Sequence, residues 1–148
     1  MSSEPLTRTA VVGGVNPVFV VRDLDAAIAY YTEKLGFRKL WGQEDYFACV
    51  ARGKTSLFLS VGDQGQPGAW VWIGTDDVTA LHAEFVAAGA VIRHPPTNYD
   101  WALEMQVSDP DGNVLRFGSD SIPGMPYGPW LDMHGRRWMP DGEGWKLV

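Results

Sequence analysis

The chain has 148 residues, of which 45% are hydrophobic and 20% are charged, and its formal net charge is −6. This length and composition indicate one globular domain, or two small modules that share a core, and they exclude a disordered chain. The acidic balance argues against a nucleic-acid partner, because phosphate binding requires a basic surface.

The first part of the chain, residues 1–14, is predicted to be an N-terminal arm. It lacks a basic start followed by a long apolar stretch, and no segment of the chain reaches the roughly 18 apolar residues of a membrane span. Cys49 is the single cysteine, so no intramolecular disulfide can form. We therefore expect a cytoplasmic protein with no membrane partner.

A strand and a helix are predicted in the segment NPVFVVRDLDAAIAYYTEKLGF, which starts at Asn16. Asp23 or Asp25 can cap the start of the helix, and Gly36 suits its C-terminal end. The stretches RKLWG, YFACVARG and TSLFLSVG follow with the period of strands, and RGK forms a turn between the last two. Residues 15–62 are therefore predicted to form a βαβββ module.

The same pattern returns after a linker rich in glycine, residues 63–68. The segment WVWIGTDDVTALHAEFVAAGA from Trp70 predicts a strand and a helix that ends at Gly89. The stretches AVIRHP, ALEMQVSD and NVLRFGS predict three strands, with DPDGN as a turn. Residues 69–118 are thus predicted to be a second copy of the βαβββ module.

The predicted C-terminal tail, residues 119–148, breaks this pattern. It is rich in Gly and Pro but also contains Tyr127, Trp130, Trp138 and Trp145. An aromatic side chain buries on the order of 150–250 Å² when it finds a surface. We expect the tail to pack on the body of the chain, as a lid, or on a partner subunit, as a dimer clasp. The sequence leaves both open.

The duplicated unit, the opening RDLDAAIAYYTEKLGF and the closing DPDGNVLRF resemble the vicinal oxygen chelate superfamily of glyoxalases, bleomycin resistance proteins and extradiol dioxygenases. The resemblance runs from about Val15 to Gly118. It implies an α+β fold with two βαβββ modules that form cup-shaped curved sheets, here followed by the aromatic Gly/Pro-rich tail. In the enzymes of this superfamily a metal ion sits in the cup.

The resemblance also implies where metal ligands would lie, and these positions fall on Asn16, Trp70 and Arg116. An amide oxygen is a weak ligand, an indole offers only a donor, and a guanidinium cannot coordinate a cation. We therefore expect no metal and no cofactor. The branch that fits best is that of the metal-free bleomycin resistance proteins, which bind a drug in a groove between two subunits.

Strand alternation predicts the side chains that face the cup. In ALEMQVSD the apolar residues should face the helices, which leaves Glu104 and Gln106 on the cup face. If DPDGN closes a regular hairpin, Gln106 lies opposite Arg116, and Glu104 lies one diagonal step away and can pair with it. Trp101 resembles a drug-binding tryptophan of the bleomycin resistance proteins. The predicted ligand-binding residues are Phe47, Phe58, Trp70, Trp72, Trp101, Glu104, Gln106 and Arg116.

An aromatic surface with a few polar groups is typical of small-molecule sites. We expect a homodimer that sequesters an aromatic or amphipathic small molecule, such as an antibiotic, without a metal and without chemistry. One alternative is a metal-independent lyase or isomerase, in which Glu104 is a general base and Arg116 an electrophilic clamp. Another is an interaction domain whose cup is filled by its own tail. Plain packing of Trp70 and Trp72 against the tail is a further alternative.

Overall fold

The computed structural model describes residues 8–148. Of the predicted N-terminal arm, residues 1–7 lie outside the described residues, and residues 8–17 form neither helix nor strand. In the part of the chain that is described, no helix is long and apolar enough to cross a bilayer.

The first module contains four strands and one helix. They are β1 (Val18–Val20), α1 (Leu24–Ala29), a π-helical turn (Tyr30–Lys34), β2 (Arg38–Gln43), β3 (Phe47–Arg52) and β4 (Thr55–Ser60). The sheet order is β1-β4-β3-β2, with β1 parallel to β4. Asp23 caps α1, because its carboxylate accepts a hydrogen bond from the backbone N–H of Ala26 at 3.0 Å. The sequence pattern did not predict the π-helical turn.

The second module repeats this arrangement. It comprises β5 (Trp70–Gly74), α2 (Val78–Ala88), β6 (Val91–Asn98), β7 (Leu103–Ser108) and β8 (Val114–Ser119), in the sheet order β5-β8-β7-β6. Asp77 caps α2, and Gly89 ends it with φ +82°, a left-handed conformation that glycine adopts without strain. The predicted α+β fold of two curved four-stranded sheets is confirmed.

The tail forms a small antiparallel sheet of three strands, β9 (Trp130–Leu131), β10 (Arg137–Pro140) and β11 (Trp145–Leu147). Asp132 closes the β9–β10 turn and accepts hydrogen bonds from two backbone N–H groups and from the side chains of Arg136 and Trp138. Desolvation alone would raise the pKa of Asp132, but these hydrogen bonds together hold it well below its ordinary value. The turn is therefore fixed by a charged carboxylate.

One apolar core fills the space between the two modules and their helices. The DPDGN turn joins the modules, since the Tyr31 hydroxyl donates to Asp109 at 2.9 Å and Asn113 donates to the Val20 carbonyl at 3.1 Å. The strand faces that point into this core alternate with faces that point away from it. These outer faces form the two cups.

Candidate functional site

The polar centre of the second cup consists of residues from β7 and β8. In this hairpin Gln106 lies opposite Arg116, and Glu104 lies opposite Gly118. Their neighbours Met105, Leu115 and Phe117 belong to the apolar core, so Glu104, Gln106 and Arg116 face the cup. The hairpin register is the one that the DPDGN turn predicts.

Glu104 lies at the centre of this hydrogen-bond network. Its side chain is 0% exposed, and it accepts hydrogen bonds from Arg116 Nε at 2.8 Å and Arg116 Nη2 at 3.2 Å. The indole N–H groups of Trp72 and Trp101 also donate to it, at 3.0 and 2.9 Å. A buried carboxylate is stable only when it is paired and hydrogen-bonded, and Glu104 meets both conditions.

Gly118 explains how Trp72 reaches this carboxylate. A Cβ atom at this position would lie 2.7 Å from the Trp72 ring and 3.3 Å from Ala102. No side chain fits there, so the indole can lie across the end of β8 and direct its N–H toward Glu104. Trp72 is thereby held by a polar contact as well as by packing.

The tail covers this cup through buried polar groups of the second module. Gln106 donates to the Leu131 carbonyl at 2.9 Å, and Arg93 contacts Gln106 and the carbonyls of Leu131 and Asp132. The buried phenol of Tyr99 donates to the Pro129 carbonyl at 2.6 Å. Burial raises the pKa of Tyr99 to about 12, so the phenol keeps the proton that it donates.

Asn98 holds the start of the tail. Its side chain donates to the carbonyls of Ile122 and Met125 at 3.0 Å and accepts from Ser121 and from the Ile122 N–H. The residue is 2% exposed, so water cannot replace these bonds without a local opening. The tail is therefore fastened to the same chain along its length.

The aromatic residues of the tail extend an aromatic cluster of the second module. Tyr99 and Trp101 stack with ring centroids 4.6 Å apart and an interplanar angle of 5°. Trp130 meets both rings edge-on at 5.8 Å, and Trp145 lies 6.0 Å from Trp101. Trp70 reaches the same cluster through Trp130, at 6.4 Å.

Tail and cup enclose an open cavity of about 490 Å³, which we call the tail pocket. Its lining residues are Trp101, Arg116, Trp130, Trp138 and Trp145. The guanidinium of Arg116 lies over the Trp130 ring, 4.7 Å from its centroid. Among the described residues that line the pocket, Arg116 alone is charged, and its side chain is 26% exposed. The pocket is thus an aromatic cage with a single cationic group.

The first cup has a different surface. Trp41 stacks on Phe47 at 5.7 Å, and Phe58 packs against both rings at 5.7 and 5.2 Å. Trp41 remains 43% exposed. This aromatic triad belongs to a separate sheet from the tail pocket.

The predicted site residues therefore fall into two groups. Phe47 and Phe58 lie in the triad of the first cup. The others surround Glu104 or the tail in the second cup, and they are Trp70, Trp72, Trp101, Glu104, Gln106 and Arg116. Of this group, Trp101 and Arg116 line the tail pocket, whereas Gln106 uses its amide to hold the tail.

Sequence reasoning left Trp130, Trp138 and Trp145 out of the predicted site. The available signal was the aromatic density of the tail, which predicted packing but not its location. Trp41 was also missed, because the stretch RKLWG gives no clear alternation of apolar and polar residues.

Cup-shaped sheets built from two βαβββ modules define the class of the protein. Residues 14–117 match the model of the Glyoxalase/Bleomycin resistance protein/Dioxygenase superfamily, and the chain belongs to this superfamily. No curated protein matches the chain significantly in sequence.

Several solved structures are similar to the chain. The bleomycin-binding protein of bleomycin-producing Streptomyces verticillus, complexed with copper(II)-bleomycin, is 27% identical, with a TM-score of 0.65 over 76% of this chain and 100% of its own. TnmS3, an antibiotic binding protein from Streptomyces sp. CB03234, is 30% identical, with a TM-score of 0.66 over the same shares. The bleomycin resistance determinant of transposon Tn5 is 22% identical, with a TM-score of 0.64 over 75% and 100%, and shows the fold alone.

The metal positions of this superfamily do not fit a metal ion in this chain. The amide oxygen of Asn16 accepts a hydrogen bond from Ser56, and Trp70 lies under the guanidinium of Arg93. Arg116 is paired with Glu104. Among residues 8–148, no three His, Cys, Asp or Glu side chains are grouped so that they could hold a metal.

Proposed function

We propose that the protein binds and sequesters an aromatic or amphipathic small molecule, such as an antibiotic, in the tail pocket and without a metal. The observation that carries this proposal is the pocket itself, in which four indole rings surround one guanidinium in about 490 Å³. Ligand sites of about 300–1,000 Å³ with apolar walls and few polar groups are typical of small-molecule binding. Indole rings bind flat ligands by stacking.

The similar structures support this function at the level of the family. Two of them, at 27% and 30% identity, are described as binding bleomycin or an antibiotic. The metal positions support a metal-free site, because an amide, an indole and a guanidinium replace the ligands that the enzymes use.

The enzymatic alternative is less favoured. A general base needs a free lone pair within reach of the substrate proton. Glu104 is fully buried and already accepts four hydrogen bonds from Trp72, Trp101 and Arg116. A substrate could reach this carboxylate only after the indoles had moved.

The alternative that the tail merely fills the cup is also less favoured. Tail residues contact Gln106 and Arg116, yet they leave the tail pocket open between Trp101 and Trp138. A tail that served only to fill the cup would leave no cavity of this size.

The function is tested with purified protein and a library of planar aromatic compounds, including antibiotics. A compound that binds the folded state at 100 times its Kd stabilises it by about 2.7 kcal/mol and raises the Tm. We expect such increases, together with chromatographic recovery of the unchanged compound from the complex. Turnover of a compound without added metal would support the enzyme, and a flat Tm across the library would contradict binding.

We further propose a cytoplasmic homodimer that has no nucleic-acid partner. Exposed apolar residues of β2 and the β2–β3 turn support a second copy as partner, since Leu40, Trp41 and Tyr46 are each more than 40% exposed. Sedimentation equilibrium tests the dimer, with Trp41→Glu as the variant that should shift it to monomer. The net charge of −6 supports the absence of a nucleic-acid partner, and the buried free thiol of Cys49 supports a cytoplasmic location.

A further inference from the structure

We infer that the tail pocket selects planar ligands that present an oxygen acceptor, such as a carboxylate, a phenolate or a quinone carbonyl, and that it rejects cationic ligands. The inference rests on the proposed function and specifies its ligand class. Its basis is the direction of the hydrogen bonds at the pocket wall, where donors are available and acceptors are not.

Arg116 supplies the charged donors. Its Nε and one N–H of Nη2 are used by Glu104. A guanidinium has five N–H groups, and within residues 8–148 no hydrogen bond from Nη1 to a protein acceptor is formed. The two N–H groups of Nη1 are therefore available to a ligand. Glu104 fixes the plane of the guanidinium, which gives these donors a set direction.

The indole rings supply the remaining polar groups of the wall, and all of them are donors. Trp101 and Trp138 already donate to Glu104 and Asp132. In the part of the chain that the structure describes, the indole N–H groups that donate hydrogen bonds belong to Trp72, Trp101 and Trp138, so those of Trp130 and Trp145 have no protein acceptor. Indole nitrogen cannot accept a hydrogen bond. The side chains of the pocket wall thus offer free donors and no free acceptor.

A cationic ligand would find no free carboxylate among the side chains of this wall. Two carboxylates contact lining residues, and both are already paired: Glu104 is 0% exposed and bound by Arg116, Trp72 and Trp101, and Asp132 is bound by Arg136 and Trp138. The face of Trp130 that could hold a cation already lies against the Arg116 guanidinium at 4.7 Å. A second positive charge beside Arg116 would be repelled. The overall charge of −6 therefore does not decide the ligand charge.

The test compares two probes with the same ring system and opposite charge, 2-anthracenecarboxylate and 2-(aminomethyl)anthracene. Their affinities for the unmodified protein are measured by isothermal titration calorimetry at pH 7.5. We expect the carboxylate to bind at least about tenfold more tightly, since it alone can accept a charge-assisted hydrogen bond from Arg116. The comparison needs no variant that could fail to fold.

The Arg116→Lys variant then tests whether Arg116 causes the difference in affinity between the two probes. Lysine keeps a positive charge beside Glu104 but lacks the planar fork, so the carboxylate probe should lose about tenfold in affinity. Arg52→Lys is the matched control, because Arg52 pairs with Glu84 outside the tail pocket and its replacement should leave the affinity unchanged. Equal losses in the two variants would overturn the role of Arg116.

The outcomes separate this inference from the proposed function. Equal or tighter binding of the aminomethyl probe overturns the ligand class but leaves small-molecule binding intact. If neither probe binds, the ligand class is tested with the compounds of the library that raise the Tm. Binding of compounds with an oxygen acceptor supports the inference, and binding of cations that lack one overturns it. If no planar compound binds at all, both proposals fail.

Discussion

The two cups have the same backbone frame but opposite chemistry. Phe58 in β4 and Arg116 in β8 are equivalent, because each is paired with the first strand of its module on one side and with the third on the other. By the same register, Phe47 corresponds to Glu104. The first cup therefore has an aromatic pair, with rings 5.2 Å apart, where the second has an ion pair at 2.8 Å.

This difference explains why only one cup needs a fixed cover. In the triad of Trp41, Phe47 and Phe58 the rings pack against one another and need no polar partner, and the Trp41 indole stays partly exposed to solvent. A buried carboxylate must instead find donors for its oxygens. Glu104 finds them in Arg116 and two indoles, and the tail then seals the polar cup. The chemistry of each cup thus follows from two cup-facing positions, and in the second cup also from the tail.

The largest effect is expected when the ion pair is broken. Glu104→Leu leaves the partly buried Arg116 without its counter-ion and the indole N–H groups of Trp72 and Trp101 without an acceptor, and it should lower the free energy of unfolding by up to about 3–5 kcal/mol. The double variant Glu104→Leu/Arg116→Met gives the second cup an apolar pair like that of the first and should recover more than half of the loss. Urea unfolding of both variants measures this. A double variant no more stable than the single one would contradict the ion-pair account.

A smaller effect is expected for the fastening of the tail. Asn98→Ala removes four side-chain hydrogen bonds to residues 121–125 and should cost about 2–3 kcal/mol. Asn16→Ala makes the same change in the first module, where the residue is exposed and contacts Ser56, and should cost under about 1 kcal/mol. Limited proteolysis should also cut the tail of the Asn98 variant faster. Equal costs for the two variants would show that Asn98 does not fasten the tail.

The smallest expected effect is a pH dependence of the free energy of unfolding, caused by His94 in the second module. Burial lowers the pKa of His94, Arg137 and Arg93 lower it further, and the Pro95 carbonyl and Glu104 partly offset this. The unfolded chain therefore takes up a proton near pH 6.5 before the folded chain does. Stability is then lost as the pH falls through 6.5 toward the folded pKa, by at most about 1.4 kcal/mol per pH unit.

Urea unfolding between pH 5.5 and 7.5 measures this slope, and His94→Gln should flatten it. Burial raises the pKa of Asp109, so this group makes the folded chain more stable as the pH falls, which is the opposite sign. A slope that persists in the His94 variant would assign the dependence to another group.

Much of the fold could be predicted from the sequence because its signals are local. Strand alternation and the DPDGN turn fixed the register that pairs Glu104 with Arg116. The place of the tail could not be predicted, since β9 has only two residues and is held by the distant side chains of Gln106 and Arg93. Trp130, Trp138 and Trp145 were missed because the place of the tail was not predicted.

The central claim is that the second cup and its own tail form the ligand site. The most direct measurement is the Kd of the compound with the largest Tm increase, determined by calorimetry for Trp138→Ala and Trp41→Ala. Trp138 lines the tail pocket and Trp41 lies in the first cup. We predict that Trp138→Ala weakens binding by about tenfold or more, as expected for the loss of one stacking ring, and that Trp41→Ala changes it less than about twofold. A loss confined to Trp41→Ala would contradict the account.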